Sequence, residues 1–164
     1  MIKALAKLPV NIKFVILGDG ELRKNLEGLA KKSNLTEQAG VSERVNFKGF
    51  VSHDNMPKYL KACDIFIRPS LSEGMGISFV EAMACKLPVI ATPVGGIVDF
   101  LKDGETGYFC KPQNPESIAQ TVQRVINDPS KNQIIENAYN MVIEKYDWNK
   151  IALQMKDVLV NINI

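Results

Sequence analysis

Residues 64–96 read DIFIRPSLSEGMGISFVEAMACKLPVIATPVGG. The stretch opens on an apolar β-rich run, DIFIR at 64–68, and passes through Pro69 into a loop of serines and glycines. A helical pattern follows, then a second apolar run, PVIA at 88–91, that ends in a loop holding Gly95 and Gly96. Both runs are continuous rather than alternating, the pattern of strands covered on both faces, so the unit reads as β-α-β with parallel strands.

The same reading extends outward. Further apolar runs lie at IKFVIL (12–17), VNFKG (45–49) and GYFC (107–110), each separated from the next by a helical pattern. The fold class is therefore α/β, a mostly parallel sheet with helices on both faces. Asp19 or Gly20 caps a helix carrying Leu22, Leu26 and Leu29 on one side. Asn114, Pro115 and Glu116 supply a cap, a first-turn proline and an acidic first turn to a helix ending near Asn127. Beyond Pro129 two helical patterns, Lys131 to Lys145 and Trp148 to Val160, follow with no strand between them. They form a helical tail over 129–164 of a single domain, 1–164, with a hinge expected at Asp147.

Composition narrows the function. In 164 residues, 20 Lys and Arg stand against 18 Asp and Glu, a net charge of +2 with no long run of like charge, so nucleic acid is not an expected partner. The apolar stretches fall short of the ~20 residues that span a bilayer. The opening MIKALAKLP reads as the end of an amphipathic helix rather than a secretory leader. Cys63, Cys85 and Cys110 are odd in number and far apart, which fits a reducing compartment, hence the cytoplasm. His53 is the sole histidine, so a multi-histidine metal site is excluded; it reads as a solvated residue near a helix start, with a place beside a ligand as the other possibility.

In an open parallel sheet, ligands gather beyond the carboxyl ends of the strands, where helix N-termini expose backbone N–H groups. The loops there contain Gly18-Asp19-Gly20, Gly49-Phe50-Val51, Pro69 to Gly76, and Thr92 to Gly96. None is a P-loop, and Gly18 and Gly20 lack the third glycine of a dinucleotide fingerprint. The informative loop places Glu73 at a glycine-rich helix start and Glu81 two turns inside that helix, a rise of roughly 12 Å, about the reach from a hexose to a ribose across a diphosphate. Amides of Gly74, Met75, Gly76 and Ile77 between the two carboxylates can hold phosphate oxygens, while carboxylates at either end accept from sugar hydroxyls. Glu81 stands among Val80, Ala82, Met83 and Ala84, where a buried carboxylate without a partner is costly, so a ligand is its expected partner.

At this point the chain resembles the C-terminal domain of group 1 retaining glycosyltransferases, enzymes of two Rossmann-like domains (the GT-B fold). The resemblance rests on an ordered set: Glu73 and Glu81 with seven residues between, the EGMG turn, EAMAC followed by LPVIAT, Gly95-Gly96, DGETGYFC at 103–110, and Tyr146 with Trp148. It implies a nucleoside-diphosphate sugar as donor substrate, with Glu81 on the ribose, Glu73 on the donor sugar as a catalytic contributor, and the Gly74 to Ile77 amides along the diphosphate. It also implies that Val51 lies against the base through its backbone, with Gly18, Gly20, Gly95 and Gly96 shaping the floor. No DxD motif occurs, so neither metal nor other cofactor is implied.

Departures accompany the likeness. Met75 replaces a more usual Phe, Lys86 a glycine that commonly ends the helix, Val98-Asp99 a Pro-Glu-like pair, and Arg68 an apolar residue. The family's first, central strand, its Gly-Arg turn and the following lysine precede the point where this sequence opens, as does the acceptor domain. The strands at 12–17 and 64–68 then either pair directly or receive a strand from another chain, a separate acceptor domain or a second copy. On this reading the chain alone does not complete transfer. Two other functions remain open to the sequence: a non-catalytic nucleotide-sugar-binding module, and a flavodoxin-type domain with no such ligand.

Overall fold

The structure, a computed structural model, describes residues 1–32 and 41–161. It opens on a short helix, α1 (Ile2–Leu5), followed by strand β1 (Phe14–Leu17), helix α2 (Arg23–Lys32) and strand β2 (Val45–Gly49). Helix α3 (Met56–Lys61) leads to β3 (Phe66–Arg68), α4 (Ile77–Ala84), β4 (Val89–Ala91) and β5 (Tyr108–Phe109). The chain ends in three helices, α5 (Pro115–Asn127), α6 (Lys131–Lys145) and α7 (Trp148–Asn161). The last three residues of the expected tail lie outside the described part. No described helix is long and apolar enough to cross a membrane.

Each strand ladder is parallel, as expected, but the five strands form two sheets rather than one. β1 pairs with β2, Phe14 opposite Val45 and Ile16 opposite Phe47, with a register shift that sets Leu17 opposite Gly49. β3, β4 and β5 pair in that order, Phe66 opposite Val89 and Ile90 opposite Tyr108. Of the two arrangements open to the strands at 12–17 and 64–68, direct pairing does not occur among the described residues: no ladder joins β1 to β3. A shared core holds the sheets together instead. Phe14 of β1 and Ile90 of β4 belong to one apolar cluster with Leu5 of α1 and Ile118, Val122 and Val125 of α5, and Ile67 of β3 packs against it.

Side-chain alternation along β4 explains why helices cover both faces. Ile90 enters that first cluster, while its neighbours Val89 and Ala91 enter a second one on the opposite face with Phe79, Ala82 and Met83 of α4 and Ala138 and Val142 of α6. Aromatic rings continue this second layer, Phe66 to Phe79 at 5.5 Å, Phe79 to Phe100 at 6.4 Å and Phe100 to Tyr146 at 6.2 Å between centroids.

The start of α5 follows its sequence signal, whereas α2 begins at Arg23, past the expected Asp19 or Gly20 cap and past Leu22. The Asn114 side chain accepts from the Ser117 amide at 3.0 Å, with Pro115 first in the helix. Lys86 takes the place of a helix-ending glycine and does adopt φ 59°. Its ammonium reaches both carboxylate oxygens of Glu136 at 2.7 and 2.9 Å and sits 4.5 Å from the Tyr139 ring centroid, contacts from α4's end to α6 that offset the left-handed backbone. Asp147 stands at the junction of the last two helices and caps α7, accepting from the amides of Asn149 and Lys150. The tail divides there: α6 docks on α4, whereas α7 buries none of its residues.

Candidate functional site

The loops after β1, β2, β3 and β4 carry the predicted residues, except Ile77 and Glu81, which stand in α4. The expected helix start is corrected by the structure: α4 begins at Ile77, so Glu73 precedes it and Glu81 lies one turn inside it, not two. Gly76 is the cause. It holds φ 71° and ψ 59°, a left-handed conformation that ends the Pro69 to Gly76 loop, and a Cβ there would lie 2.7 Å from the Phe79 ring. The two carboxylates are therefore joined by a loop and one helical turn, and the ~12 Å of pure helix rise does not describe their separation.

Glu73 is held from two sides. Its side chain is 13% exposed, and its Oε2 accepts from the Ser70 hydroxyl at 2.9 Å and pairs with Arg68 Nη2 at 3.2 Å. A second nitrogen of the same guanidinium, Nη1, donates to the Ser78 hydroxyl at 2.9 Å. Thr92 fixes the loop from β4 by donating its hydroxyl to the Ser70 carbonyl. Gly95 and Gly96 complete the support: the Gly96 amide donates to the Gly74 carbonyl at 3.0 Å. A Cβ on Gly95 would come within 1.8 Å of the Glu73 carbonyl oxygen, and one on Gly96 within 2.7 Å of the Gly74 carbonyl oxygen. The glycine pair thus clamps the backbone of the Glu73 loop.

Between the carboxylates, the backbone N–H groups of Gly74, Met75, Gly76 and Ile77 make no hydrogen bond among the described residues. Ile77 opens α4, Gly76 is its cap and Gly74 and Met75 lead into it, next to the helix end where the peptide dipoles add a partial positive charge. Met75 and Ile77 are exposed beside them.

Glu81 differs from its expectation. Its side chain is 28% exposed, not buried in the apolar face, because α4 turns Phe79, Ala82 and Met83 inward and leaves Glu81 on its flank. There it lies 3.5 Å from His53 Nδ1 and lines a hollow with Met56, Leu60, Ala84 and Cys85. His53 is highly exposed in a short turn before α3, as its solvated reading expects, and its ring lies next to Glu81. Ser78 and Glu81 are three apart on α4 and share a side of it. Arg68 links Ser78 to Glu73 and so ties the Glu73 loop to the first turn of α4, while Glu73 itself does not line the hollow beside Glu81.

The remaining predicted residues form a second group. The Gly18 amide donates to the Gly49 carbonyl at 2.7 Å, with φ 109° at Gly18 and 72° at Gly49, and the Gly20 amide turns to the Asp19 carboxylate. Val51 lines an open groove with Phe50, Asn55, Lys58 and Tyr59, separate from the hollow beside Glu81. Gly18, Gly20 and Val51 therefore do not line the Glu81 hollow. Ser70, Ser78 and Thr92 carry no functional signal in the sequence, where Arg68 stands out only as a departure from the family. The available signal was a charged residue closing an apolar strand, where it needs partners.

An open parallel α/β domain with free amides and two carboxylates at one helix N-terminus has the equipment of a phosphorylated-ligand-binding domain. The comparisons with known proteins place it more narrowly. The family model described as "Glycosyl transferases group 1" matches residues 1–141, and the chain belongs to that family. An uncharacterized glycosyltransferase of Methanocaldococcus jannaschii is 38% identical over 161 residues, 96% of this chain and 40% of that protein. The lipopolysaccharide 1,2-N-acetylglucosaminetransferase of Salmonella typhimurium is 33% identical over 162 residues, 97% of this chain and 42% of its own length. Among solved structures, HepE of Anabaena in complex with UDP-glucose superposes with a TM-score of 0.86 at 28% identity, covering 98% of this chain and 44% of that one. The chain thus spans about two fifths of the length of the curated relatives it matches.

Proposed function

We propose that this chain is the donor-binding domain of a retaining glycosyltransferase and holds a nucleoside-diphosphate sugar along the flank of α4. Glu81 accepts from the ribose hydroxyls, the amides of Gly74, Met75, Gly76 and Ile77 bind the diphosphate, and Glu73 meets the donor sugar. Glu73 is the catalytic contributor: a carboxylate near the anomeric carbon favours the positive charge that develops as the leaving diphosphate departs. Val51 lies by the base, and Gly18 and Gly20 frame that side. Gly95 and Gly96 act through the Glu73 loop. No metal or other cofactor enters this reading. Transfer requires an acceptor domain, supplied by a longer polypeptide or a separate chain, and a cytoplasmic setting accords with three free thiols.

One observation carries the proposal: the four consecutive amides of Gly74 to Ile77, without partners among the described residues, stand where the loop of Glu73 enters α4, the helix that carries Glu81. The Anabaena neighbour's complexes with UDP and UDP-glucose support the ligand class. Calorimetric titration of the chain with UDP, GDP, ADP and their glucose conjugates tests it. Replacing Glu81 by Ala removes a charge-assisted hydrogen bond, so nucleotide affinity should fall by about 10- to 100-fold. Equal affinity in parent and variant contradicts the ribose assignment. Addition of the acceptor domain separates a transferase from a binding module, since only the former gains turnover.

A further inference from the structure

Arg68 ends an otherwise apolar strand. Its two strand neighbours, Phe66 and Ile67, pack against the two core clusters on opposite faces, and the guanidinium leaves the sheet at the carboxyl end. There it makes two contacts at once, Nη2 to Glu73 Oε2 at 3.2 Å and Nη1 to Ser78 Oγ at 2.9 Å. A planar fork with fixed donor directions can bridge two acceptors in a way that a lysine's single ammonium cannot. Ser78 sits in the first turn of α4, so the bridge ties the side chain of a loop residue to a rigid helix. The Ser70 hydroxyl adds a second bond to the same Oε2. Both contacts, one ion pair and one hydrogen bond, fall on Oε2, and Oε1 accepts no hydrogen bond among the described residues.

From this geometry we propose that Arg68 is the positioning residue of the donor-sugar carboxylate: by bridging Ser78 to Glu73 it aims Oε1 of Glu73 at the sugar. The inference rests on the assignment of Glu73 to the donor sugar. It distinguishes two parts of one ligand. Arg68 acts on the sugar through Glu73, whereas the nucleotide is held by the α4 amides and Glu81, so loss of Arg68 changes the preference for UDP-glucose over UDP rather than nucleotide binding as such.

The test compares UDP and UDP-glucose affinities by calorimetry for the full chain and for Arg68→Met, Arg68→Lys, Glu73→Gln and the double variant Arg68→Met/Glu73→Gln. Arg68→Met should weaken UDP-glucose by about tenfold, the scale of one charge-assisted hydrogen bond, and UDP by less than about twofold. Retained UDP binding serves as the folding control, and Arg68→Lys should recover only part of the loss. In the Glu73→Gln background, Arg68→Met should cause no further loss, because residues acting through one contact are not additive. Equal weakening of UDP and UDP-glucose, no change in either, or a further loss in the Glu73→Gln background overturns the proposal. Should Glu73→Gln alone leave the UDP-glucose to UDP ratio unchanged, the sugar assignment of Glu73 fails and the role of Arg68 falls with it; a change there without one in Arg68→Met refutes the positioning role alone.

Discussion

Gly95 shows how strongly one residue can control this site. It adopts φ 54°, and a Cβ would meet the Glu73 carbonyl oxygen at 1.8 Å, a distance that no side-chain rearrangement relieves because the obstacle is backbone. Gly95→Ala should therefore displace the Glu73 loop, lower unfolding free energy by about 1–3 kcal/mol and abolish UDP-glucose binding. Urea denaturation and calorimetry read the two effects. Parent-like stability together with parent-like binding would show that the loop tolerates the intrusion. The same scale shows where the sequence misled. Glu81 reads as buried because its neighbours Val80, Ala82 and Met83 are apolar, but only the helix phase decides which way each points, and the phase turns Glu81 outward. Arg68 reads as an oddity because its partners, Glu73 and Ser78, are five and ten positions away across a loop whose shape depends on Gly76.

Individual elements were legible where their signal is local. Apolar runs located β1, β3, β4 and β5, the alternating VNFKG marked β2, and Asn114-Pro115 located the start of α5 to the residue. The start of α4 was not legible, because a left-handed glycine can either cap a helix or precede it by a turn, and only the contact between Gly76 and Phe79 decides. Strand pairing was also beyond local signals, since β1 and β3 read alike whether they pair with each other or stand in separate sheets. Helix α7 makes the complementary case, a clear helical pattern that contributes little to the core. Trp148, Leu153, Met155, Val158 and Leu159 are all exposed, and none of its residues is buried. Removing residues 148–164 should thus shift the thermal midpoint by less than about 3 °C, the scale of a sub-kcal/mol change in a domain of this size. A drop of ten degrees in a melting scan would mean that α7 supports the fold after all.

At the level of the whole molecule, two sheets and their helices share cores that also hold ionisable groups. Burial raises the Tyr108 phenol from 10.0 to about 12, with the hydrogen bond to Asp128 acting in the same direction. Burial likewise raises the Cys110 thiol from 9.0 to about 11, and pushes Cys63 and Cys85 upward. In each case the fold binds the proton more tightly than the unfolded chain does. The associated stability is fully present below the unfolded values of 9.0 and 10.0 and is lost as pH rises through the folded values of about 11 and about 12. Urea denaturation across pH 8 to 12 should show this decline, and Tyr108→Phe should flatten its upper part. Stability that stays level to pH 12 would contradict the assignment.

Ligand binding centres on the amides at the head of α4 and on Glu73 and Glu81 in the proposed function. A heteronuclear NMR titration of the isotopically labelled chain with UDP-glucose tests this most directly. Saturable shifts should be largest at the backbone amides of Gly74, Met75, Gly76 and Ile77, with smaller ones around Val51, and Glu81→Ala should move the whole set to higher ligand concentration. Perturbations centred elsewhere, with those four amides unmoved at saturation, would contradict it.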